Sequence, residues 1–150
     1  MLPQVDIRSL YSRYYNVFAL TFLSTSLVIK LPFTRRITGF PLGRLLFADA
    51  AMSAASSLLQ APVIPGAMIL SSLILTPIFG TNENAPIIWL SVVSVTTVTS
   101  ASIEALVLHS FFAQRISPKA FCLLCTANAI CMAGAIYGMY RYALAHPPEA

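Results

Sequence analysis

The amino-acid sequence predicts an all-α integral membrane protein with three to four transmembrane helices in a single membrane domain spanning residues 1–150. Hydrophobic residues make up 57% of the chain and charged residues only 9%, whereas a soluble domain has about 25% charged residues. The apolar residues form long runs, and a helix needs about 20 such residues to cross a bilayer. The basic residues lie singly or in short clusters beside those runs, which is typical of a multi-pass membrane protein.

Four segments are candidate membrane spans: 14–31, 45–79, 87–112 and 121–140. The first is short, because only 16 residues separate Arg13 from Lys30. We therefore expect these two side chains to snorkel toward the headgroups, and an interfacial helix is the alternative. The stretch "PFTRRITGFPLGR" that follows contains two prolines and two glycines, which predicts a basic connector.

The segment 45–79 is too long for one span and short for two. Pro62 and Pro65 lie near its middle, and proline removes a backbone donor and clashes with the preceding turn. The segment is therefore either one long kinked helix or an interfacial helix followed by a span. The last candidate, 121–140, has no charged residue and is the clearest span in the sequence.

The basic residues do not form a patch typical of nucleic-acid binding. With four spans, six Lys and Arg residues fall on the side of the connector and of the "AQRISPK" turn, and three fall on the other. The positive-inside rule then places both termini on the outer side of the membrane. We expect five basic side chains to contact lipid headgroups, with bound cardiolipin plausible: Arg35, Arg36, Arg44, Arg115 and Lys119.

Glu104 is the only charged residue of segment 87–112, and at 1.5 Å per residue it lies about 16 Å below Arg115. An ionisable group at that depth predicts either a hydrogen-bonded contact between helices or a path for protons. Asn128 lies at a similar depth on the next candidate span, so it is the expected partner. Two further polar residues are candidates for a functional role: Asp49, the only charge in its segment, and His109, which faces about 140° away from Glu104.

Cys122 and Cys125 form a C-x-x-C motif at the start of the last candidate span. The stretch "FCLLCTANAI" resembles the last helix of the vitamin K epoxide reductase family, a small four-helix membrane fold. The resemblance implies thiol–disulfide exchange, which in that family needs a second cysteine pair on an earlier loop. No cysteine precedes Cys122 in this chain, so a partner protein would have to supply that pair. The alternative is that the cysteines pack as small apolar residues.

The same cysteines with His109 would give only three metal ligands, whereas a closed structural zinc site needs four. We therefore expect no metal ion and no other cofactor apart from bound phospholipid. Small residues cluster in "ADAAMSAASS", and Gly134 and Gly138 form a G-x-x-x-G pattern. Such patterns allow close approach of helices, either from another subunit or within this chain.

The stretch from 82 to 116, with "LVLH" at 106–109, resembles mitochondrial inner-membrane hairpin proteins that help to assemble ATP synthase and complex I. Ala105 stands where that pattern has a proline, and the last candidate span is additional to it. The resemblance implies location in the mitochondrial inner membrane.

The expected function is that of a non-catalytic accessory subunit or assembly factor of a respiratory-chain or ATP-synthase complex. Its expected partners are other membrane subunits and lipids, not nucleic acid. The alternatives are a membrane thiol oxidoreductase that uses Cys122 and Cys125, and a component of a proton path that uses Glu104.

Overall fold

The computed structural model describes residues 12–80 and 86–146. These residues form four α-helices and no strand: α1 (Tyr15–Thr38), α2 (Leu42–Phe79), α3 (Pro86–Phe112) and α4 (Pro118–Ala145). All four helices are long and apolar enough to cross a membrane. The predicted fold class, an all-α multi-pass membrane protein, is therefore confirmed, with four candidate spans rather than three.

The four helices pack as an antiparallel bundle. α1 packs against α2 and α4, and α3 packs against the same two helices, so α1 and α3 lie diagonally across the centre. The connections 39–41 and 113–117 lie at one end, which we call the basic end. At the opposite end, which we call the terminal end, the Tyr14 hydroxyl donates to the backbone oxygen of His146 over 2.9 Å, so the start of α1 meets the end of α4.

α1 is longer than the sequence predicts. The helix continues through Pro32 and ends at Thr38, and Gly39 adopts a left-handed conformation with φ 64° that ends it. The Gly39 N–H donates to the backbone oxygen of Arg35, as is common at helix C-termini. The predicted connector at 32–44 is therefore largely helical, and only residues 39–41 connect the two helices.

α2 is a single helix of 38 residues that contains Pro62, Pro65 and Pro77. Of the two alternatives for this segment, the structure has the long helix. At 1.5 Å per residue it is about 57 Å long, whereas the hydrocarbon core of a bilayer is about 30 Å thick. α2 therefore tilts in the membrane or extends beyond its hydrocarbon core.

α4 begins three residues before the predicted span. The Ser117 side chain accepts a hydrogen bond from the Ala120 N–H over 3.2 Å, and Pro118 occupies the first helical position. Both are favourable at a helix N-terminus, because the hydroxyl satisfies an orphan donor and proline lacks one.

Two apolar clusters fill the bundle. The cluster nearer the terminal end contains Phe18, Phe22, Ile64, Ala67, Ile88, Val92, Cys131, Met132, Ala135 and Met139. The cluster nearer the basic end contains Ala48, Met52, Ala101, Leu108, Phe112 and Leu124. On each helix, buried polar residues lie between or among the members of these clusters, so the bundle has a polar centre.

Candidate functional site: a buried polar network

Lys30 and Glu104 form a salt bridge in the middle of the bundle, and both residues are buried, at 0% exposure. The prediction that Lys30 snorkels to the headgroups is therefore wrong. Because α1 continues past Pro32, Lys30 lies about 12 Å inside the end of its helix. Glu104 lies about 12 Å from the end of α3 at the same side of the bundle, so the two charges meet at one depth.

Asn128 donates a second hydrogen bond to the Glu104 carboxylate. Its Nδ2 donates to Glu104 Oε2 over 2.7 Å and to the backbone oxygen of Leu124 over 3.0 Å. The contact between Glu104 and Asn128 that their depths predict is confirmed. Glu104 Oε1 accepts from Lys30, so each carboxylate oxygen has a donor, as a buried charge requires.

The salt bridge joins α1 and α3, whose backbones lie too far apart for direct helix–helix packing. α1 and α3 are diagonal in the bundle, and only the long Lys30 side chain brings its ammonium to the Glu104 carboxylate. Removing one member of a buried pair leaves the other charge uncompensated in a medium of low dielectric constant. The pair therefore adds a polar contact between the two hairpins, α1–α2 and α3–α4, to the α1–α4 and α2–α3 interfaces that already join them.

Asp49 lies beside this pair, on α2, and is 1% exposed. Its Oδ1 is 3.1 Å from Thr34 Oγ1 on α1. Its Oδ2 has no hydrogen-bond partner among the described residues. Asp49 lies close enough to Lys30 and Glu104 to be influenced by both charges, so the polar network holds two carboxyl groups and one ammonium.

Polar contacts continue from this network toward the terminal end. Gln60 Nε2 on α2 donates to Ser100 Oγ on α3 over 3.1 Å. Ser26 and Ser53 are also buried, and their hydroxyls have no partner within the described part of the chain. The network therefore contains more hydrogen-bonding capacity than its own side chains satisfy, and ordered water commonly occupies such positions.

The other candidate residues lie outside this network. His109 is exposed on α3. Cys122 is exposed, Cys125 is half-buried and Cys131 is buried, and all three are free thiols. Among residues 12–80 and 86–146, no three His, Cys, Asp or Glu side chains lie close enough together to hold a metal ion.

Gly134 and Gly138 face α1 of the same chain. A Cβ at Gly138 would lie 2.7 Å from Thr21 Cγ2, and one at Gly134 would lie 3.6 Å from Thr25 Cγ2. Of the two alternatives for this pattern, the structure has packing within the chain. The absence of a side chain at Gly138 is what allows α4 to approach α1 so closely.

The predicted headgroup contacts share one end of the bundle. Their five side chains are all exposed at or near the basic end: Arg35, Arg36, Arg44, Arg115 and Lys119. The Arg44 guanidinium lies 4.3 Å from the centre of the Phe40 ring and donates to the backbone oxygen of Phe112 over 3.2 Å. The arrangement is suited to the phosphates of anionic lipids.

The sequence prediction missed Lys30 as a member of the network. A signal was available, because an acid in mid-membrane usually has a partner. If the first helix is predicted to extend to Arg35 and Arg36, these two residues mark the membrane surface, and Lys30 then lies at the same depth as Glu104. Pro32 led to the prediction that the first helix ends at residue 31, since proline usually marks the end of a helix in soluble proteins.

Fold and site together define a four-helix, multi-pass membrane protein with a buried ion-pair network at its centre. Comparisons with known protein families, with curated proteins and with solved structures found no match to this chain.

Proposed function

We propose that this chain is a non-catalytic accessory subunit or assembly factor of a larger complex in the mitochondrial inner membrane, of the respiratory-chain or ATP-synthase kind. The observation that carries the proposal is the outward face of α2. Ala50, Ala54 and Ala61 are exposed on it, and their spacings of four and seven place them on one side of the helix. Small residues on an outward face let a helix of another subunit approach closely.

Large apolar residues flank this row. Phe47 is 69% exposed and Leu46 is 49% exposed, and they lie on opposite sides of the row. A row of small residues between larger ones forms a shallow groove, which suits the side chains of a neighbouring helix better than flexible lipid tails. By contrast, Gly134 and Gly138 already pack within the chain and are not proposed as a docking face.

The basic end supports the lipid part of the proposal. In the sequence, the stretches 31–47 and 112–121 contain no Asp or Glu, so the basic side chains there have no acidic neighbours along the chain. Each basic residue near an anionic membrane surface contributes about 1 kcal/mol of attraction. Cardiolipin, which has two phosphates, is the lipid that we propose for this end.

The thiol-oxidoreductase alternative stays a prediction. Cys122 is exposed near the basic end and Cys125 is half-buried behind it, three residues apart on one helix. A Cys122→Ser variant that joins its complex normally but loses a thiol-dependent activity would favour this alternative. The proton-path alternative also stays a prediction, and in the structure both oxygens of Glu104 accept hydrogen bonds, from Lys30 and Asn128.

The first experiment is a mild-detergent native gel of the tagged chain, with mass spectrometry of the band in which it migrates. We expect migration in a large respiratory-chain or ATP-synthase band. Ala54→Leu fills the α2 groove and should shift at least half of the chain to a low-mass band. The matched control is Ala133→Leu, on the exposed face of α4, which should leave migration unchanged. Migration of the wild-type chain alone, as a monomer or small oligomer, would contradict the proposal.

A further inference from the structure

The four helices form two closely packed pairs, α1 with α4 and α2 with α3. Each helix packs more extensively against the other member of its pair than against any helix of the other pair. In the first pair, Gly138 brings α4 close to Thr21 of α1. In the second pair, Gln60 of α2 donates to Ser100 of α3. We call the surface at which the two pairs meet the inter-pair interface.

The hydrogen bonds that cross the inter-pair interface lie close together. Among the residues that the structure describes, they are the bonds of Glu104 with Lys30 and Asn128 and the bond from Thr34 to Asp49. All of them lie in the buried polar network, within about 12 Å of the basic end. The connections 39–41 and 113–117 also pass from one pair to the other at this end. Polar and covalent links therefore join the two pairs in the basic half of the bundle.

In the terminal half, the hydrogen bonds between described helices lie inside the pairs. The Tyr14 hydroxyl of the first pair donates to the backbone oxygen of His146, and the Tyr14 and Tyr142 ring centres are 5.7 Å apart. In the second pair, Ser71 Oγ donates to Ser91 Oγ over 3.0 Å, and the chain passes from α2 to α3 at this end. These contacts hold each pair together without joining it to the other.

Apolar side chains meet across the inter-pair interface in the terminal half. Phe18 and Met139 of the first pair pack in one cluster with Ile64 and Val92 of the second. A cavity of about 20 Å³ lies among these four side chains, so their packing is incomplete. In a bilayer, lipid chains can replace contacts between apolar side chains at little cost, because both surroundings are apolar. Separation at the polar network costs far more, because it leaves buried charges unpaired.

We propose that the pairs α1–α4 and α2–α3 move as units about the basic end, so that the bundle opens toward the bilayer at its terminal end. The polar network and the two connections form the hinge. Glu104 lies about 26 Å from Ile87, near the terminal end of α3, so a small rotation at the network gives a large displacement there. Opening gives a lipid acyl chain access to the cavity between the pairs. The motion does not depend on the partner complex proposed above.

Distances between two spin labels test this motion in the full chain, placed in phospholipid vesicles and measured by double electron–electron resonance. The labels are attached at Ile87→Cys on α3 and Leu144→Cys on α4, in a background without the three native cysteines. Both positions are exposed and lie on opposite sides of the inter-pair interface at the terminal end. We expect a broad distance distribution with a second population at longer distance.

Three control pairs of labels lie inside a helix pair or across the inter-pair interface at the basic end. Their exposed positions are Asn16 with Leu144, Ile74 with Ile87, and Ser110 with the native Cys122. We expect one narrow distribution for each control. A single narrow distribution for Ile87 with Leu144 would overturn the proposal. Equal broadening of a control inside a helix pair would show that the pairs are not units, and equal broadening at the basic end would show that the hinge is not there.

Access of a lipid acyl chain has its own readout in Trp89, the only tryptophan of the sequence, which lines the cavity. Phospholipids with brominated acyl chains quench tryptophan fluorescence on contact. Joining Ile87→Cys to Leu144→Cys with a short bismaleimide should close the terminal end and reduce this quenching. The same variant before cross-linking is the control. Equal quenching before and after cross-linking would contradict entry of the acyl chain between the pairs.

Discussion

At the scale of single residues, Lys30 and Glu104 are the groups on which the stability of the bundle most depends. Both residues are buried away from water, and each is the counter-ion of the other. Breaking a buried pair by removing one partner typically costs about 3–5 kcal/mol, whereas replacing both charges by apolar groups is often neutral. The pair therefore predicts a difference between single and double variants.

We expect Lys30→Met to lower the free energy of unfolding by about 3–5 kcal/mol, because Glu104 then stays buried with no cation beside it. The double variant Lys30→Met with Glu104→Met should recover most of that loss. Equilibrium unfolding in mixed detergent, followed by circular dichroism, measures both. Lys119→Met, at an exposed position of the basic end, is the control and should change stability little. Equal losses in the single and double variants would contradict an essential ion pair.

The sequence predicted part of this network correctly. The contact between Glu104 and Asn128 follows from counting residues inward from the basic turn, and the structure contains it. Lys30 was missed because a lysine at the edge of an apolar run usually marks the membrane surface. The interaction of Thr34 with Asp49 lies beyond such counting, since it depends on how α1 and α2 rotate against each other.

At the scale of the helices, the contact between α1 and α4 depends on the lack of a side chain at Gly138. An added Cβ would lie 2.7 Å from Thr21 Cγ2, which is closer than carbon atoms normally approach. Because Thr21 is β-branched, its side chain has few alternative rotamers in a helix. The two helices would therefore have to move apart.

We expect Gly138→Ala to lower the free energy of unfolding by about 1–3 kcal/mol, which is typical of overpacking. Gly134→Ala is the matched control on the same helix, since its Cβ would lie 3.6 Å from Thr25 in ordinary contact. Adding Thr21→Ser to Gly138→Ala removes the clashing methyl group and should restore stability. The same unfolding assay applies, and equal effects of the two glycine variants would contradict this packing.

The helix boundaries show where sequence reasoning reaches its limit. α3 begins and ends within one residue of its predicted span, because polar stretches of sequence bound it on both sides. α4 begins three residues early and continues through Arg141 to Ala145, five residues beyond the predicted end. The end of α1 was placed too early, since prolines inside membrane helices are tolerated where neighbouring groups satisfy the freed carbonyl. Whether segment 45–79 forms one kinked helix or two helices could not be predicted from the sequence, because both alternatives have the same hydropathy pattern.

At the scale of the whole molecule, the exposed charged residues among those that the structure describes lie at the ends of the bundle. The five exposed basic residues at the basic end lie beside both connections, and the positive-inside rule predicts that this end faces the inner side of the membrane. The described ends of the chain, near Tyr14 and His146, share the other side.

This topology can be tested with single cysteines in a background where the three native cysteines are replaced by serine. A membrane-impermeant maleimide should label Lys119→Cys from the basic side alone and His146→Cys from the opposite side alone. Both residues are exposed. Labelling of both positions from one side of sealed vesicles would contradict four membrane crossings.

The fold class followed from composition and charge placement, because continuous apolar runs of about 20 residues cross a bilayer as helices, whereas the strands of a membrane barrel alternate apolar and polar residues. The identity of any partner does not follow in the same way. An outward row such as Ala50, Ala54 and Ala61 indicates that a helix can approach, but complementary side chains on that helix decide which one does.

The diagonal salt bridge also constrains how the protein is made. The hairpin α1–α2 leaves the ribosome first and carries Lys30, while Glu104 arrives later with α3. Until then, Lys30 lacks the carboxylate to which it donates in the complete bundle, and Asp49 of α2 is the only acidic group of the described part of this hairpin. A chain truncated after α2 therefore exposes this lysine to lipid or to the insertion machinery. We expect quality-control proteases to remove such a fragment, because a Lys30 ammonium without the Glu104 carboxylate marks a chain whose synthesis stopped before α3.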